Sequence, residues 1–116
     1  MYAKEIIEAV VEQVKAELSK SQEVLEGQLT PKHAEQVAAL LTQATAAAWV
    51  AGYRTYLEAH DVAEPTIEVE GEVYRWKMVS EKEFLTPGGS MTLGRNLYQP
   101  DSGGECQVPL DVAWGM

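Results

Sequence analysis

The residues best suited to chemistry lie in the second half of the chain, where Tyr74, Arg75, Trp76 and Lys77 stand in a row and Arg95 and Tyr98 follow. Aromatic rings stack on nucleobases and Arg or Lys grips phosphate, so Arg75, Lys77, Arg95 and Tyr98 are the candidate nucleic-acid contacts. The competing arrangement is one aromatic row turned to the core and one charged row turned to solvent. Glu68, Glu70 and Glu72 alternate, so in an extended strand their carboxylates share a face. Hard cations bind such oxygens only where several converge from different elements, and a solvated face explains the pattern more simply.

Other groupings point to structure rather than to catalysis. His33, His60 and Cys106 are isolated from one another in sequence and do not supply the four closely spaced ligands of a zinc site. Cys106 has no local signature of a cysteine hydrolase and reads as a half-buried strand residue. Ser90 lacks the G-x-S-x-G setting of a nucleophile elbow. Gly88-Gly89 and Gly103-Gly104 match no phosphate-binding motif and read as turns. No catalytic group, metal or cofactor is expected.

The elements that must position these residues change character near residue 64. Ile6, Ile7, Val10, Val11, Val14, Leu18 and Leu25 recur at spacings of three and four, predicting an amphipathic helix over residues 3–26. Gly27 is placed to end it in a left-handed conformation. Thr30 as N-cap and Pro31 at the first helical position open a second helix that runs to about Ala59. A short link between two long helices predicts an antiparallel hairpin. The small residues of Ala44 to Ala51 permit close helix approach around Trp49, and apolar stripes too wide for one pair predict either packing on the β segment or a homodimer.

From Pro65 the hydrophobic period drops to two through Ile67, Val69, Val73, Tyr74, Trp76 and Met78. The segment "VYRWKMVSEKEFL" predicts a strand, "TPGG" a type II turn and "SMTLGRNLY" the returning strand, with an edge open to pairing. "CQV" reads as a short strand, and Asp111 as the cap of a helix that begins in "VAWGM" and is cut short. The expected fold is α+β: a long antiparallel helical hairpin over residues 1–63, then a small antiparallel β-sheet over 64–116.

Composition narrows the partners. A chain of 116 residues, 46% hydrophobic, is sized for one ordinary domain. Its net charge of −9 opposes non-specific attraction to nucleic acid or anionic membranes. Residues 1–63 hold five Lys or Arg against nine Asp or Glu, and residues 64–116 hold four against nine, so neither half is a basic arm. The single cysteine allows no internal disulfide. Glutamates interrupt the first apolar segment, and no run of about 18 apolar residues offers a membrane span, so a cytoplasmic location and no membrane partner are expected.

One pattern spans residues 71–116: Gly71-x-x-Tyr74, then Thr86-x-x-Gly89-x-x-Thr92-x-x-Arg95-x-x-Tyr98, a loop, Pro109-Leu110-Asp111, and Gly115. It resembles the front part of transposases of the ISKra insertion-sequence type, in which a helical region and a β-rich element precede a DDE catalytic domain. Many of those relatives carry a cysteine knuckle after the equivalent of Tyr98, whereas this chain has only Cys106 there. A DDE nuclease needs three acidic residues on an RNase H-like core, and Asp61, Asp101 and Asp111 leave no room for that fold. The resemblance therefore implies a non-catalytic front module, with the stop at Met116 expected to mark the lost or separate beginning of a catalytic domain. Implied partners are DNA, a transposase catalytic polypeptide and a second copy of the chain. The alternative is an acidic protein-interaction module, an inhibitor or mimic of DNA charge, that does not bind DNA.

Overall fold

The protein is described by a computed structural model for residues 2–115; Met1 and Met116, the outer ends of the two predicted regions, lie outside the described residues. In chain order the elements are α1 (Tyr2–Lys20), α2 (Gln22–Glu26), α3 (Pro31–Ala59), β1 (Thr66–Val69), β2 (Glu72–Thr86), β3 (Gly89–Pro100) and α4 (Pro109–Trp114). This is the α+β arrangement the sequence predicts, a long helical hairpin followed by a three-stranded sheet in the order β1-β2-β3. The chain gathers into two compact units, one of Met1–Tyr56 with Leu85–Met91, the other of Leu57–Phe84 with Thr92–Met116. The units thus draw on interleaved segments, although the change from helix to strand falls near residue 64.

In the first unit, the predicted helix over 3–26 is broken at Ser21, whose φ of −129° and ψ of 39° leave the helical region, so α2 is a separate short turn of helix. Gly27 ends it in an extended conformation, φ −70° and ψ 163°, rather than the expected left-handed one. A Cβ there would meet the His33 imidazole, which would have to turn aside. Thr30 caps α3 as its sequence predicts, Oγ1 accepting from the His33 N–H at 3.0 Å. The two long helices meet where α3 is smallest. Ala44 and Ala48 are buried one turn apart, and one turn further a Cβ on Gly52 would stand 2.7 Å from Val10 Cγ2. Trp49 lies off this seam and is 38% exposed. Against its side of α3 sits the turn after β2, where a Cβ on Gly88 would stand 2.6 Å from the Ala46 carbonyl oxygen and 2.9 Å from Trp49 Cβ.

That turn differs from the expected type II. A type II turn over Thr86–Gly89 needs positive φ at Gly88, whereas the positive φ, 114°, falls at Gly89. Thr86 braces it, Oγ1 accepting from the Gly88 N–H at 3.2 Å and donating to the Gly89 carbonyl at 2.5 Å.

In the second unit, β1 pairs antiparallel with β2, from Thr66 opposite Arg75 to Val69 opposite Glu72. The reversal is made by Glu70 and Gly71, both at positive φ, 52° and 81°. It separates Glu68, Glu70 and Glu72 into a strand, a turn and a second strand, so they do not form the shared carboxylate face of one strand. The buried residues of this unit are Leu57, Tyr74, Leu93, Arg95, Tyr98, Pro100 and Leu110. On β3 alternate residues are buried up to Arg95, and then the phase shifts so that Tyr98 and Pro100 point inward. On β2, by contrast, Tyr74 is the only fully buried residue, and Trp76, Met78 and Val79 are 47–49% exposed.

The C-terminal segment also departs from expectation. "CQV" is not a strand: Gln107 makes an isolated bridge to Tyr98, and Cys106 is exposed rather than half-buried. α4 starts at Pro109 with Val108 as its N-cap, and closes on Gly115 at φ 82°. Asp111 lies inside the first turn and is no cap, because Pro109 fits the first helical position and the Asp111 carboxylate is engaged elsewhere.

Candidate functional site

The grouping of aromatic and basic residues is divided by the fold into two sets. Arg95 and Tyr98, expected at a nucleic-acid surface, are buried at 6% and 0% exposure. Arg95 lies on the inward side of β3, where a guanidinium is tolerable only with its donors satisfied. Its Nη1 donates to Asp111 Oδ2 at 2.5 Å, and Nε and Nη2 reach the Ser80 carbonyl and hydroxyl, each at 3.3 Å. Tyr98 Oη is within hydrogen-bond distance of the Val62 carbonyl at 3.2 Å and the Glu64 carbonyl at 2.6 Å. Burial, then the charges of Asp61 and Glu64, raise the Tyr98 phenol above its ordinary pKa of 10.0. Both side chains spend their polar atoms inside the unit. Neither can reach a phosphate without the surrounding fold opening, and this corrects the exposure the sequence suggests.

Arg75, Trp76 and Lys77 on β2 remain at the surface. Arg75 is paired with Asp101, Nε to Oδ1 at 2.9 Å and Nη2 to Oδ2 at 3.5 Å. Asp101 is itself held by its own N–H, which donates to the Val73 carbonyl at 3.2 Å, and Ser102 Oγ hydrogen-bonds to Glu72 Oε1 beside it. Trp76 is fixed more firmly. Its backbone N–H donates to the Pro65 carbonyl at 3.0 Å, and its Nε1–H to Asn96 Oδ1 at 2.9 Å. Asn96 is anchored in turn, Nδ2 donating to the Val62 carbonyl at 2.7 Å and its backbone N–H to Asp61 Oδ2 at 3.0 Å.

These anchors frame an open groove of about 660 Å³ lined by Ala63, Glu64, Pro65, Thr66, Arg75, Trp76 and Asn96. Sequence reasoning named Arg75 but missed Glu64, Pro65 and Asn96. Their partnership with Trp76 depends on the β1–β2 register and on a contact between β3 and the segment before β1, and neither leaves a local sequence signal. His33 belongs to the helical unit, whereas His60 and Cys106 belong to the other. Among the described residues, no three His, Cys, Asp or Glu side chains gather where they could hold a metal ion. Also among the described residues, no helix is long and apolar enough to cross a membrane.

Comparison of the chain with protein-family models, with curated proteins and with solved structures finds no match.

Proposed function

We propose that this chain is a non-catalytic front module of an ISKra-type transposase, which self-associates through its helical unit and meets DNA or the catalytic polypeptide through its β unit. The reading rests on the residue spacing from Gly71 to Gly115, and one observation supports it: nearly every position in that spacing has framework work in the fold. Gly71, Gly89 and Gly115 occupy positive φ. Tyr74, Tyr98 and Leu110 are buried, Thr86 braces a turn, Pro109 opens α4, and Arg95 binds Asp111. Thr92, exposed on β3, is the exception. A set of this kind specifies a scaffold, so a shared spacing argues for a shared fold whatever partner that fold serves.

Self-association is supported by α1, which has no buried residue although its apolar side chains recur at helical spacing. Ile7 is 61% and Val11 44% exposed, an arrangement that favours a covering surface. Sedimentation velocity of the full chain is expected to show a dimer that Ile7→Glu with Val11→Glu converts to monomer. Gel retardation of duplex DNA at low salt is expected to depend on Arg75 and Lys77. A chain that stays monomeric at high concentration, and retains neither duplex nor a co-expressed catalytic polypeptide, would sink the proposal.

A second reading, an acidic protein-interaction module without DNA affinity, is favoured by the burial of Arg95 and Tyr98. That burial leaves Arg75, already paired with Asp101, and Lys77 to face DNA against a net charge of −9. Capture of a basic protein with no duplex retardation at any salt selects it.

A further inference from the structure

An exposed tryptophan ordinarily keeps its N–H for water or for a ligand carbonyl. Trp76 does neither: it is 48% exposed, yet its Nε1–H is spent on Asn96, whose side-chain amide donates to the Val62 carbonyl and whose backbone N–H donates to Asp61. What remains for a partner is the ring face, fixed in orientation before anything binds. A ring face without its N–H offers stacking and the negative pole of its quadrupole, and the ligand that uses both best is a cation.

The charges around the groove favour the same ligand. Arg75, on one rim, is neutralised by Asp101 at 2.9 Å. Glu64, on the lining, has no ion pair among the described residues, and Asp61, whose Oδ2 accepts from the Asn96 backbone N–H, adds a second negative charge close by. The chain as a whole is at −9, which draws cations and repels phosphate.

We infer that the groove formed by Trp76, Glu64, Pro65 and Asn96 is a docking site for an arginine side chain of a basic protein partner, the guanidinium stacking on Trp76 and pairing with Glu64. Arginine fits better than lysine because its planar, weakly hydrated head can lie flat on the indole while its edge donates to a carboxylate. The inference does not depend on the chain being a transposase module. It names the polypeptide chemistry this surface would read in either functional reading.

The test titrates the isotope-labelled full chain with a blocked oligo-arginine peptide, following the Trp76 indole N–H and the Asn96 side-chain amide by NMR. A saturable shift of both signals is expected, with oligo-lysine of equal length about threefold weaker. Trp76→Leu is expected to weaken binding about tenfold and Glu64→Gln about fivefold. Glu70→Gln makes the same charge change in the β1–β2 turn and is expected to weaken binding less than about twofold. If Trp76→Leu fails to fold by circular dichroism, Trp76→Phe and the two glutamate variants decide. Equal weakening by Glu64→Gln and Glu70→Gln would reduce the effect to general acidity and overturn the proposal. So would an oligothymidylate that shifts the same two signals more tightly than oligo-arginine does, since that would make the site a base-stacking platform.

Discussion

β2 and β3 lie side by side in one sheet, and each carries arginine and aromatic residues, yet the fold treats them oppositely. On β3, Arg95 and Tyr98 point inward, and every polar atom named above is taken by a partner distant in sequence: Ser80, Asp111, Val62 or Glu64. On β2, Arg75 is exposed and paired with an exposed aspartate, and Trp76 shows half its surface. The same residue types therefore do framework work on one strand and stand available on the next. What separates them is hydrogen-bond satisfaction, because a buried guanidinium or phenol is stable only where its partners are built around it, and those partners hold it there.

The sharpest way to break this contrast is Arg95→Ala. It leaves Asp111 with a half-buried carboxylate that has lost its cation, and whose Oδ1 has no hydrogen-bond partner among the described residues. The expected destabilisation is about 2–4 kcal/mol by urea denaturation, somewhat reduced because Asp111 is partly solvated. Arg95→Met, which fills the volume without a charge, should be as damaging unless Asp111→Leu accompanies it. The double substitution is expected to recover most of the loss, and failure to recover it would mean that the pair also sets the placement of α4 by geometry an apolar contact cannot replace.

Tyr98→Phe is the next test, expected to cost about 1–2 kcal/mol because the Glu64 carbonyl, the nearer of the two acceptors at 2.6 Å, loses the single phenol proton, while the Val62 carbonyl keeps its bond from Asn96. It also carries a pH signature. The folded phenol titrates above its ordinary value of 10.0, so its stabilisation is fully present below about pH 10 and is lost as pH rises through the higher folded pKa. Wild-type stability should therefore fall steeply in alkali, and the Phe variant should fall less. Parallel alkaline curves for the two proteins would remove Tyr98 as the responsible group.

The helical hairpin was legible in the sequence because its signals are local: apolar spacing of three and four, Thr30 before Pro31, and a run of small residues for the seam. The break at Ser21 was not, since no proline or glycine marks it. The strands were legible from their alternation and bounding turns, but the sides they face were not. Tyr74, Trp76 and Met78 alternate as a core row should, and only Tyr74 is buried. On β3 the inward phase shifts between Arg95 and Tyr98, which brings both to the interior although an unbroken alternation would place one of them outside. The groove at Trp76 was half visible, since the aromatic and basic residues are adjacent in sequence while Asn96 and Glu64 arrive only through tertiary pairing.

Gly94→Ala tests how closely the two strands are fitted. A Cβ there would stand 2.9 Å from Val79 Cγ1, tighter than side chains tolerate. Val79 is half exposed and can yield, so the expected loss is about 1 kcal/mol, below the cost of overpacking a closed core. Combining it with Val79→Ala should restore wild-type stability. A loss that persists in the double variant would show that the backbone of β3, not the Val79 side chain, resists the added methyl.

The smallest expected effect completes the contrast. Arg75→Ala removes an ion pair of similar length to that of Arg95, yet its side chain is 65% exposed and that of Asp101 51%. Water replaces either partner at little penalty, so the change in stability is expected to stay below about 1 kcal/mol and to shrink further with added salt. The consequence lies at the groove instead. Without Arg75, the groove loses its lining cation and Asp101 is left unneutralised, which should strengthen oligo-arginine binding at Trp76 while weakening any retention of duplex DNA. These opposite signs follow from one substitution, so a single variant separates a surface that reads a basic polypeptide from one that grips phosphate.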